Sequence, residues 1–227
     1  MMQSNDLLAK APVTLVADEA PATNKVLRNT YMLLSLTLLF SGLTAGVAMA
    51  TNAAPLHFLI TLGGYFGLLF VVTRLRNSVW GLAAVFALTG FMGYTLGPIL
   101  NFYLSMPNGS QVVMTALGGT GVIFLALSGY AVMSRKDFSF MGGFLMVGIL
   151  VAFLLGLGGM LFNMPMLSLA VSGMFILLMS GMILWQTSEI IHGGETNYIM
   201  ATVSLYITIF NLFISLLQIL GVMSSND

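Results

Sequence analysis

The chain has 227 residues, of which 58% are hydrophobic and 6% charged, with a formal net charge of zero. A soluble domain carries about 25% charged residues, so this chain cannot cover a globule with solvated surface, and lipid must surround most of it. The balanced charge excludes a broadly basic nucleic-acid surface; the lack of cysteine excludes disulfides, thiolate chemistry and cysteine-held metals.

Residues 1–30 contain Asp6, Lys10, Asp18, Glu19, Lys25 and Arg28, together with Pro12 and Pro21. No apolar run there is long enough for the core of a signal peptide, so 1–29 reads as a flexible cytoplasmic tail. Seven apolar stretches follow, near 30–50, 56–73, 79–100, 111–133, 140–161, 166–187 and 198–221. Each approaches the roughly 20 residues that a helix needs to cross a bilayer. They are apolar on every side, unlike barrel strands, which alternate over about ten residues. The expected fold is an all-α membrane protein, a seven-transmembrane-helix bundle over 30–221 with a short C-terminal tail at 222–227.

Sidedness follows from the cations. Lys10, Lys25 and Arg28 precede the first span, Arg74 and Arg76 follow the second, and Arg135 and Lys136 follow the fourth. The loops after spans one, three and five contain no basic residue. The positive-inside rule then puts the N-terminus in the cytoplasm and the C-terminus outside, in the periplasm. The loop before the last span is acidic and carries no topological signal, so a re-entrant last segment stays an open alternative. Gly42 with Gly46, and Gly93 with Gly97, form small-xxx-small pairs of the kind that let helices pack closely.

Little in the chain suggests catalysis. Asp6, Asp18, Glu19, Asp137, Glu189, Glu195 and Asp227 all lie in tails, loops or span ends. A mid-span carboxylate costs about 2.5–3.5 kcal/mol on insertion scales and usually marks a function, so its absence weakens pump and voltage-sensor readings. His57 and His192 fall on opposite sides of the membrane and cannot share a metal; His192 and Glu195 lack a third ligand. Ser128 and Ser172 have no deep histidine to serve as base. No catalytic, cofactor-binding or metal-binding residue is assigned, and a non-enzyme without cofactor is expected.

The last span holds the one organised polar feature. Ser204, Thr208, Asn211, Ser215 and Gln218 recur at spacings of 4, 3, 4 and 3, which sets them on one helical stripe. Gln186 and Glu189, one turn apart at the end of span six, are placed to face it. The plain reading is interhelical hydrogen bonding, at about 0.6 kcal/mol per contact; the sharper one is a hydrated cavity or ion path.

Several segments resemble the Bax-inhibitor family of membrane proteins. They are Gly81-Leu82-Ala83-Ala84, the run Gly93 to Leu100, then Ala116, Thr120 and Phe124, and in the last span Leu205-Tyr206 through Asn211-Leu212-Phe213. Gly121 departs from the family pattern, which has Ala or Ser there. Lys25 to Tyr31 and Ile191-His192-Gly193-Gly194-Glu195-Thr196-Asn197-Tyr198 resemble the bacterial branch of modulators of the FtsH protease. The resemblance, over roughly 25–221, implies a bacterial inner-membrane protein that associates with the ATP-dependent protease FtsH and its membrane complex. It would restrain attack on other membrane proteins as an inhibitor or slow substrate. It also implies an alternative, the family's pH-dependent calcium or proton leak, which uses two aspartates. Their positions are Gln186 and Thr208 here, and neither titrates as a carboxylate, leaving Glu189 as the substitute. The candidate polar cluster is therefore Gln186, Glu189, Thr208 and Asn211, with the lipid bilayer and FtsH as partners and no nucleic acid.

Reporter enzymes fused after Arg76 and after Asn108 should report opposite compartments. A shared compartment would overturn the span count and the sidedness together.

Overall fold

In hydrocarbon no water satisfies a backbone N–H or C=O, so a spanning segment must close its hydrogen bonds within itself, as a helix does. The computed structural model describes the backbone of residues 13–224 and the side chains of residues 24–224. Among these it contains α1 (Val13–Ala50), α2 (Phe58–Leu75), α3 (Trp80–Leu104), α4 (Gly109–Ser134), a 3-10 turn (Ser139–Met141), α5 (Gly142–Leu161), α6 (Pro165–Ile191) and α7 (Tyr198–Ser224), and no strand. All seven α-helices are long and apolar enough to cross a membrane. The last is one unbroken helix of 27 residues, about 40 Å long, which is enough to cross a bilayer without the break of a re-entrant segment.

One boundary differs from expectation. The helical backbone of α1 starts at Val13, although its membrane-crossing portion starts at Asn24. Residues 13–29 are thus helical where an irregular tail was expected. Charge there reports solvation, not backbone conformation, and the alanine, leucine, lysine and arginine of this stretch all favour helix. The rest of the expected tail, 1–12, lies outside the described residues, as do 225–227.

The helix α7 is the central post. It packs against α1, α3, α4 and α6, whereas α2 leans chiefly on α3, and α5 on α6. Half of the apolar window of α7 is buried inside the protein, against 6% of that of α2. Three clusters of buried side chains surround the post, and α7 contributes to each. Tyr206 and Leu205 join Leu34, Val72 and Leu88; Leu212 joins Leu145 and Ile183; Phe213 and Leu217 join Val112 and Ala116.

Two glycines determine how α1 meets α3. A Cβ on Gly93 would run into the Ser41 carbonyl oxygen and the Thr44 hydroxyl; one on Gly97 would lie 2.5 Å from the Ala48 Cβ. The Gly93/Gly97 pair therefore packs helices, as its spacing suggests. The Gly42/Gly46 pair does not: neither would meet an atom within 4 Å, and both are exposed. The face that α1 offers to α3 is Ser41, Thr44, Ala45 and Ala48, one position round the helix.

The connections sort by end. Asn52, Asn108 and Asn163, in the loops after α1, α3 and α5, take positive φ values of 48°, 57° and 49°. Asparagine tolerates this left-handed turn. At the other end the basic loops converge. Asn197 Nδ2 donates to the Arg76 carbonyl at 3.0 Å and to Asn77 Oδ1 at 2.9 Å. His192 Nε2 lies 3.2 Å from the Arg135 carbonyl. Arg74, Arg76, Arg135 and Lys136 thus belong to one end of the bundle.

Gly93→Ala should cost about 1–3 kcal/mol by overpacking a backbone contact that cannot yield. Gly42→Ala should be neutral or stabilise by up to about 1 kcal/mol through helix propensity. Unfolding in lipid bicelles measures both, and equal losses would contradict the seam.

Candidate functional site

The polar stripe of α7 turns inward because its groups find no partner in lipid. Thr208 Oγ1 donates to Gln186 Oε1 at 3.1 Å, with the Ser204 carbonyl of its own helix at 2.9 Å. Several turns further along, Ser172 Oγ donates to Gln218 Oε1 at 2.7 Å. These two bonds clamp α6 to α7. Asn211 Nδ2 donates to the Ile207 carbonyl at 2.8 Å, and its Oδ1 has no partner among the described residues. Gln186 is 8% exposed, and its amide nitrogen has no partner among the described residues yet is not sealed from the interior space.

That space is a cavity of about 940 Å³ lined by α2, α3, α5, α6 and α7. Gln186, Ser204, Thr208 and Asn211 form its polar floor; the walls are mainly aromatic and aliphatic, with the hydroxyl residues Thr61, Tyr65 and Thr95 among them, and none of the described lining residues is charged. Because α2 rests on α3 and α5 on α6, the two do not close against each other, and the cavity opens sideways between them.

Of the four candidate residues, Gln186, Thr208 and Asn211 come together and Glu189 does not. The Glu189 carboxylate folds against the backbone of Gly194, beneath the turn in which Gly194 N and Glu195 N donate to the Glu189 carbonyl at 2.8 and 3.2 Å. It does not line the cavity. One helical turn from Gln186 places it nearby in sequence, but the α6–α7 loop captures its side chain.

Two polar groupings escaped sequence reasoning. On the far side of α7, Ser41 Oγ lies 2.5 Å from the Tyr206 hydroxyl, which donates to the Thr89 carbonyl at 3.3 Å; this ties α1, α7 and α3. Tyr31, Ser128 and Thr187 bring three hydroxyls together from α1, α4 and α6. Their only signal was a hydroxyl residue inside an apolar span. At the basic end, Phe138 N donates to Ser188 Oγ at 3.0 Å, and Ser139 N donates to Asp137 Oδ1 at 2.8 Å. That backbone N–H chiefly, then the Ser139 hydroxyl and nearby His192, hold the Asp137 carboxyl below its usual range. The cap is therefore complete above about pH 4 and is lost as pH falls through the lowered value.

Seven helices of membrane-crossing length, with α7 at their centre, and an uncharged polar floor in a sideways-opening cavity define a multi-pass α-helical membrane protein. Residues 23–226 match the family model described as Inhibitor of apoptosis-promoting Bax1, and the chain belongs to that family. It is 51% identical over 200 residues, 88% of this chain and 91% of the relative, to the Modulator of FtsH protease YccA of Escherichia coli K12. The same identity and coverage relate it to the Inner membrane protein YccA of Escherichia coli O6:H1. An uncharacterized protein of Pseudomonas aeruginosa is 54% identical over 202 residues, covering 89% of this chain and 91% of the relative.

Gln186→Leu and Thr208→Val should be coupled by about 0.6 kcal/mol in a double-mutant cycle of stability, the mean for bonds between helices in membranes. Glu189→Gln should show no coupling to Thr208→Val. The reverse pattern would contradict the floor as described.

Proposed function

We propose that the protein modulates the membrane protease FtsH in the bacterial inner membrane, restraining its attack on other membrane proteins. The carrying observation is the 51% identity, across 88% of the chain, to a relative named for that role. In this reading the N-terminus and the basic end face the cytoplasm, as the positive-inside rule requires, and the protein acts by binding, not by covalent chemistry.

The packing supports a physical mechanism. A protease that grips the N-terminal segment must pull on α1. That helix is locked to α3 by the Gly93/Gly97 seam and to α7 by Ser41 with Tyr206 and by Thr202 Oγ1, 3.3 Å from the Thr30 carbonyl. Extracting α1 therefore breaks the contacts of the central post as well. Extraction is slow, the protease stays occupied, and competing substrates survive longer. A calcium or proton leak has weaker support, because no charged residue lines the cavity and Glu189 turns away from it.

Overproduction of the full chain should lengthen the lifetime of a membrane substrate of FtsH several-fold, and deletion of residues 1–24 should abolish the effect. Gly93→Ala, which loosens α1, should itself be degraded faster and protect less. An unchanged substrate lifetime with the full chain would refute the reading.

A further inference from the structure

The cavity has chemistry that protease modulation does not use. Gln186 is more than nine-tenths buried; its Oε1 already accepts from the Thr208 hydroxyl, while its Nε2 donors have no partner among the described residues and are the side chain's unmet hydrogen-bonding capacity. Asn211, which also lines the cavity, donates from Nδ2 to the Ile207 carbonyl, and its Oδ1 has no partner among the described residues and is available as an acceptor. Ser204 Oγ, without a partner among the described residues, can do either. The floor of a mainly apolar chamber therefore offers both an unmet donor and an unmet acceptor.

Each simpler occupant leaves something unmatched. A hydrocarbon chain alone would leave the Gln186 amide buried and unpaired. A carboxylate, a phosphate or a metal cation would enter a low-dielectric chamber with no charged lining residue to oppose it. The walls, among them Tyr65, Phe91, Met146, Phe153, Phe175 and Met179, suit acyl carbons, and methionines adapt to irregular shapes. The volume of about 940 Å³ falls at the upper end of the roughly 300–1,000 Å³ of ligand sites. The gap between α2 and α5 faces lipid, so a membrane-dissolved molecule enters without crossing water.

We infer that this cavity binds an uncharged acylglycerol-type lipid, its ester carbonyl accepting from Gln186 Nε2, its free hydroxyl donating to Asn211 Oδ1, and its chain lying along the walls toward the α2–α5 gap. The inference does not depend on the link to FtsH.

The test uses the full chain in nanodiscs with a monoacylglycerol carrying a diazirine and an alkyne on its acyl chain. Parallel probes carry the same chain as a free fatty acid, as a phosphatidylglycerol and as a plain alkane. The monoacylglycerol should label α2, α5 and α7 peptides saturably, with competition by unlabelled 1-monooleoylglycerol; the other three should label the lipid-facing surface without saturation. Gln186→Leu should weaken saturable binding about three- to tenfold, the worth of one hydrogen bond. Met146→Trp, at an exposed wall position away from the floor, should abolish binding with the Gln186–Thr208 bond intact, so the question is decided even if Gln186→Leu folds poorly. Unsaturable labelling by every probe would overturn the proposal. So would a preference for the fatty acid, or cross-linking of the α2 and α5 faces to another protein's helix that monooleoylglycerol does not displace.

Discussion

Thr208 reaches across to Gln186 in the interior of a bundle whose exterior is hydrocarbon, and that bond expresses the constraint on which the whole architecture rests. A polar group inside the membrane has no solvent to turn to, so it must meet a partner within the protein. The backbone satisfies this rule by coiling into seven helices. The side chains satisfy it by facing α7: the Gln186 and Gln218 bonds on one flank, the Ser41–Tyr206–Thr89 connection on the other. Each bond is worth little alone. Together they fix the rotation of the central helix, and with it the registry of the three clusters packed around it.

The same rule separates a tight part of the molecule from a loose one. Where α1 meets α3, glycine lets backbone approach backbone, and dispersion supplies the attraction that hydrophobicity cannot supply in lipid. On the opposite side, α2 and α5 each lean on a single main neighbour, and a chamber remains between them. A molecule so divided can resist being drawn out by α1 while offering lipid a way in between α2 and α5. The two proposed properties thus rest on different parts of one fold.

The seven spans and the gathering of the loop cations Arg74, Arg76, Arg135 and Lys136 at one end were legible because both depend on transfer free energies, which single residues carry. The inward stripe of α7 was legible for the same reason. Rotation was harder. Ser41 with Ala45 is as good a small-xxx-small pair as Gly42 with Gly46, and spacing alone does not say which faces α3. Glu189 was grouped with Gln186 by helical proximity, but the fate of a long side chain at a helix end was decided by the Gly193–Gly194 turn above it. The floor of the chamber was legible as the polar stripe, which admitted a cavity as its sharper reading, but the walls were not, because they come from five helices and consist largely of the same phenylalanines and methionines that elsewhere meet lipid.

The most direct test of inward satisfaction exploits the absence of native cysteine. Ser128 Oγ and Thr187 Oγ1 lie 3.5 Å apart between α4 and α6, close enough for cysteines at both positions to join with little movement. Leu125, one turn away on α4, is 69% exposed and faces outward. In native membranes under mild oxidation, Ser128→Cys with Thr187→Cys should form a disulfide nearly completely, while Leu125→Cys with Thr187→Cys stays reduced. Equal yields from the two pairs, or none from the first, would contradict the claim that the buried hydroxyls converge within the bundle.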